Sequence, residues 1–182
     1  DRECQLQPEA MMLDLIRNRR SIRQFSAETI DDEAVNQIIE MGTWAPSALN
    51  NQPWKFVIVR DFETRKHLSG HTRYSRVLQN APVCIAVFLD NKKSYDRVKD
   101  IQAIGACIQN MLLAAEELGL GAVWLGLHPR EDLLDRPALD GDRREGVDPV
   151  REGGLPAEDA VEQLDLLDAS MMASGPRRVP PP

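Results

Sequence analysis

Cysteine is scarce in this chain of 182 residues, and the three present, Cys4, Cys84 and Cys107, are widely separated and odd in number. No pair has the short spacing of a zinc site and no set supports a disulfide framework, so a reducing cytoplasm is the expected compartment. Cys84 and Cys107 lie in apolar contexts and read as buried thiols. Long apolar runs are also missing: none nears the roughly 20 residues needed to cross a bilayer, and Asp1 to Pro8 does not read as a signal peptide. Positive charge is in deficit, with a net charge of -7. That balance argues against a general nucleic-acid binder, although an acidic whole can still hold a local basic pocket. His67 and His71 are four apart, but Gly70 interrupts their helix and no third ligand is evident. Both are expected at the surface, and no metal is implied.

What is present is a hydrophobic share of 42% and a charged share of 28%, enough for one globular domain with a real core. Its most distinctive stretch is Ala45-Pro-Ser-Ala-Leu-Asn-Asn-Gln-Pro-Trp54. Two prolines fix the backbone, while Ser47, Asn50, Asn51 and Gln52 concentrate polar groups suited to a flat polar ligand. Such residues are also ordinary in turns, so context has to decide. Upstream, Pro8 to Arg20 reads as a helix with Met11, Met12, Leu15 and Ile16 on one face. It ends in Arg17, Arg19 and Arg20, followed by Ser21 and Arg23. The helix macrodipole accounts for a cation or two there. It does not account for Arg23 in an extended segment, or for a hydroxyl between arginines. Forked guanidinium groups are suited to phosphate.

The remaining elements follow from periodicity. Thr29 to Glu33 starts a helix whose stripe of Val35, Ile38 and Ile39 runs to about Trp44. Pro53 to Arg60 is a strand, Phe62 to Leu68 a short helix, and Ala81 to Leu89 a strand buried on both faces. Asp100 to Leu118 is a long helix with Ile101, Ile104, Ile108, Met111, Leu112 and Ala115 in step. Gly121 to Gly126 is a strand whose last glycine suits either a turn or close approach of a ligand to the backbone.

In order and spacing, four stretches resemble the FMN-dependent nitroreductase family. They are Arg19-Arg20-Ser21-Ile22-Arg23-Gln24-Phe25, Ala45 to Trp54, Ile104-Gly-Ala-Cys-Ile-Gln-Asn110, and Leu118-Gly-Leu-Gly-Ala-Val-Trp-Leu-Gly126. The match runs from about Leu13 to Gly126. The resemblance implies an α+β fold with a mixed central sheet flanked by helices, built as an intertwined homodimer with FMN at the interface. It implies that Arg19, Arg20, Ser21 and Arg23 of one subunit hold the phosphate, ribityl chain and pyrimidine edge. Pro46, Ser47, Ala48 and Asn50 would come from the other subunit, and Leu125 and Gly126 would bring backbone to the reactive face. The implied reaction is ping-pong: NADH or NADPH reduces the flavin, and a nitroaromatic, quinone or free flavin reoxidises it. Arg23 would act electrostatically, and no catalytic nucleophile or general base is implied. Two alternatives keep the fold: reductive dehalogenation, whose enzymes carry a lid not seen before Gly126, and flavin binding without turnover.

Beyond His128 the resemblance stops. Pro129 to Pro182 contains no Ile, Phe, Tyr, Trp, Lys, Asn, Thr or Cys. The chain therefore divides into a nitroreductase-like FMN-binding region, 1–128, and an acidic Pro/Gly-rich segment, 129–182. One account makes the segment a polar tail with weak helices at Arg130 to Leu139 and Pro156 to Met172, with Arg177 and Arg178 replacing a basic phosphate contact. The other is a shifted reading frame, since Ile, Phe, Tyr, Lys and Asn have A/T-rich codons; an intact coding frame would end that idea.

Overall fold

The computed structural model describes residues 8–126, 142–145 and 164–176. The expected helix at 130–139, the first part of that at 156–172, Cys4, Arg177 and Arg178 lie outside them. In chain order the elements are α1 (Pro8–Asn18), α2 (Asp32–Thr43), a 3-10 turn (Ala48–Asn50), β1 (Trp54–Val59), α3 (Phe62–Ser69) and α4 (Ser75–Asn80). β2 (Val83–Asp90), α5 (Arg97–Glu117), β3 (Leu120–Gly126), β4 (Asp142–Glu145) and β5 (Leu164–Pro176) follow.

The strands form one sheet in the order β3-β5-β2-β1-β4. All of its ladders are antiparallel, and the parallel component is an isolated bridge between Ser21 and Ala122. β2 is buried along its whole length, as its unbroken apolar sequence requires. Its side chains alternate between two cores. Val83, Ile85, Val87 and Leu89 join Trp54, Phe56 and Ile58 of β1, the stripe of α2 and the inner face of α5. Cys84, Ala86 and Phe88 join Val57 and Val59, Leu68 of α3, and Val77 and Leu78 of α4. The sheet is thus sandwiched between α2 with α5 on one side and α3 with α4 on the other. Each fully buried Ile or Leu in these cores contributes about 1.5–3 kcal/mol.

Helix α2 begins where its sequence signal lies: Asp31 accepts a hydrogen bond from the Ala34 N–H at 2.8 Å. Where α2 crosses α5, Gly42 sits so close that an added Cβ would lie 2.7 Å from Met111 Cγ. Cys84 and Cys107 are unbridged and fully buried, and burial pushes both thiols up to about 12. They are structural, inert thiols.

Four expectations are corrected. Helix α1 stops at Asn18, because Ser21 is drawn into a bridge with β3. Helix α5 begins three residues before Asp100, since Asp96 accepts from the N–H groups of Val98 and Lys99 and caps it. His71 is buried rather than exposed, edge-on to His67 at 5.5 Å between ring centroids.

The last correction is the largest. Residues 164–172, expected as helix, belong to β5, which lies between β2 and β3. Met172 pairs with Ile85 on one side and Trp124 on the other and is fully buried. An added Cβ at Gly175 would lie 2.6 Å from Cδ of Pro82, a ring that cannot yield. The segment is therefore built into the sheet. Local propensity loses here to the two rows of backbone donors and acceptors on β2 and β3 that a strand between them satisfies.

Candidate functional site

The arginine segment leaves α1 and runs along the outer edge of β3. The Arg19 N–H makes the last helical bond to Leu15 O at 2.9 Å, and the Ile22 N–H donates to Ala122 O at 3.0 Å. Arg17, in the last helical turn, has Asp14 at 3.7 Å, the routine surface pair. Among the described residues Arg19, Arg20 and Arg23 have no carboxylate partner. Arg20 donates to Arg17 O and Arg19 O, while Arg23 donates to Ser21 O at 3.3 Å and stacks over Tyr74 at 5.7 Å. Three guanidinium groups therefore lie close together in sequence with no anionic partner among these residues, a donor set that suits an anion such as phosphate.

The same segment abuts the strand that carries the expected backbone contacts. Leu125 is buried, so only its main chain can meet a ligand, and a Cβ added at Gly126 would meet nothing within 4 Å. The backbone at Gly126 thus faces open space.

The polar loop is at the Gly126 end of the sheet, opposite the Ser21–Ala122 bridge, and on other strands. It leads into Trp54, which pairs with Leu89 of β2, and β2 and β5 both lie between β1 and β3. Three strand spacings, about 14 Å, separate the two strands. Within one chain the structure thus sets the segment of Arg19, Arg20, Ser21 and Arg23 against β3 at Ala122, with Leu125 and Gly126 further along the same strand, and it leads Pro46, Ser47, Ala48 and Asn50 into a different strand, β1.

The loop is strained as well as stiff. Leu49, Asn50 and Gln52 all have positive φ, at 54°, 55° and 46°. Asn tolerates this region, whereas Leu and Gln do not, and each such residue costs on the order of 1–3 kcal/mol unless its surroundings dictate it. Those surroundings are visible. Ser47 Oγ accepts from the Gln52 N–H at 3.0 Å, and Asn51 Nδ2 donates to Lys93 O at 2.9 Å and to Asp100 Oδ1 at 2.8 Å. Ser47 thereby accepts within the loop, Asn51 is spent on the start of α5, and Asn50 is the amide that stays exposed.

Sequence reasoning missed Asp100, a fully buried carboxylate. Burial by itself would raise its pKa. Hydrogen bonds from Asn51, Ser94 and the Tyr95 and Asp96 N–H groups outweigh that and hold it below the ordinary 3.8. Nothing in the linear pattern singles it out, because its partner Asn51 lies in another element. Tyr74, the ring beneath Arg23, was hidden for the same reason.

The family model for nitroreductases matches residues 16–75 and 66–142, past the motifs that end at Gly126. The chain belongs to the nitroreductase family. An Archaeoglobus fulgidus relative, named for NADH dehydrogenase and NAD(P)H nitroreductase, is 44% identical over 123 residues, 67% of this chain and 71% of its own. A Bacillus subtilis FMN reductase using NAD(P)H is 29% identical over 143 residues, 66% of this chain and 57% of its own length. A nitroreductase of Desulfovibrio desulfuricans, solved with FMN, superposes with a TM-score of 0.66 at 37% identity, over 93% of this chain and 91% of that one. The α+β fold is therefore that of this family. No helix among the described residues is long and apolar enough to cross a membrane.

Proposed function

We propose that this chain is an FMN-dependent NAD(P)H oxidoreductase that reduces nitroaromatic, quinone or flavin-type acceptors. The observation that carries the reading is the set of arginines without carboxylate partners beside β3, the strand that ends at a glycine whose backbone faces open space. This donor set fits a phosphate-ended flavin. Arg19, Arg20 and Ser21 would take the phosphate and ribityl hydroxyls, and Arg23 would favour negative charge at the pyrimidine end. Bound FMN supplies the hydride chemistry, from nicotinamide to flavin to acceptor in a ping-pong sequence. Leu125 and Gly126 offer main-chain groups near the reacting face without a side chain in the way.

The working unit in this reading is a homodimer in which Pro46, Ser47, Ala48 and Asn50 of the second copy complete each site. Support comes from the separation of the two residue sets within one chain and from exposed apolar groups on the loop, on α1 and at the start of α5. Trp44 is 75% exposed and Leu49 80% exposed, with Met12, Leu13, Ile16 and Val98 also open. Apolar side chains in such number favour association with another surface. The unbridged buried thiols suit a reducing compartment such as the cytoplasm.

The test is anaerobic spectroscopy of purified protein supplied with FMN. The expected result is a yellow dimer holding two flavins, bleached by NADH or NADPH and recoloured by a nitroaromatic or quinone. Protein that stays colourless overturns the reading; colour without bleaching selects the non-catalytic flavin binder.

A further inference from the structure

The polar loop is fastened to the start of α5 by a carboxylate that takes no part in the chemistry above. Asp100 Oδ2 accepts from Ser94 Oγ at 2.7 Å and from the N–H groups of Tyr95 and Asp96 at 2.8 and 3.1 Å. Its other oxygen reaches out of this turn to Asn51, 49 residues earlier in the chain. The cap of α5 does not depend on that second contact, because the Asp96 side chain already takes the N–H groups of Val98 and Lys99. Asn51 directs one amide nitrogen at two acceptors, Asp100 Oδ1 and Lys93 O, so its orientation is fixed. It also sits between Asn50 and Gln52, two of the three residues held at positive φ.

We infer that Asn51 and Asp100 are positioning residues: their hydrogen bond holds Asn50 in its left-handed conformation and so sets how tightly the site binds flavin. This rests on the proposal that Asn50 is a flavin contact. The physical basis is preorganisation. A loop whose backbone prefers another conformation must be ordered at the moment of binding unless something orders it beforehand, and affinity falls by the population that is wrongly arranged. Asn51→Ala frees the loop while leaving three of the four donors on Asp100, so helix α5 keeps its start.

The experiment compares full-length wild type, Asn51→Ala and Asp100→Asn in two measurements: FMN titration by fluorescence quenching, and amide hydrogen exchange of the flavin-free protein. In Asn51→Ala, FMN dissociation is expected to weaken about tenfold, and amides of residues 48–52 to exchange about tenfold faster, with core strands unchanged. In Asp100→Asn the Asn51 amide can turn over and keep one bond but loses Lys93 O, so a smaller change in the same direction is expected. Unchanged affinity and unchanged loop exchange in Asn51→Ala overturn the inference. Faster exchange spread through β1, β2 and α5 also overturns it, by making Asn51 a strut of the whole fold. If wild type fails to bind FMN, the proposed function falls; loop exchange still decides whether the clamp exists.

Discussion

β2 and β5 lie side by side at the centre of the sheet, yet they reach that position by different routes. β2 is Val-Cys-Ile-Ala-Val-Phe-Leu-Asp, and its sequence alone demands burial on both faces. β5 is Leu-Asp-Leu-Leu-Asp-Ala-Ser-Met-Met-Ala-Ser-Gly-Pro, with no β-branched or aromatic residue, and it is extended because β2 and β3 flank it. One strand carries its own instruction; the other is instructed by its neighbours. Strand formation is decided by the company a segment keeps as much as by its composition.

The comparison is sharpened most by truncating the facing pair Ile85 and Met172. Both are fully buried and opposite each other in register, so Ile85→Ala and Met172→Ala should each cost about 2–5 kcal/mol in denaturant unfolding. A cost for Met172→Ala below about 0.5 kcal/mol, the value of a surface change, would break the equivalence and make β5 an appendage. Gly175→Ala comes next, at about 1–3 kcal/mol. Its new methyl meets the Pro82 ring and Phe25 Cβ; a melting temperature equal to wild type would show that the end of β5 does not pack there. The smallest effect belongs to a feature that the sequence announces. Asp31→Ala removes the acceptor for the Ala34 N–H and should cost about 1 kcal/mol, seen as a lower urea midpoint with an unchanged slope.

Much of the candidate site was legible and some of it was not, for a related reason. The arginine run and the Pro-rich amide loop are contiguous, so both could be read directly. Their separation across β5 and β2 within one chain is a property of strand order, which no local pattern encodes. Asp100 was read as the first residue of a helix; it is a buried anchor for Asn51. The expected surface position of His71 failed because its burial depends on how α3 and α4 pack, not on its sequence neighbours.

By itself the sequence determined which segments are apolar at helical or strand spacing, where α2 starts, and which stretches concentrate guanidinium and amide groups. Each follows from contacts within a few residues. Only the tertiary structure decided that an acidic, small-residue segment becomes a central strand, that the segment of Arg19, Arg20 and Arg23 lies against β3, and that Asn51 is spent on Asp100. Those outcomes depend on partners tens of residues away, and their backbone and side-chain groups find one another only when the sheet closes.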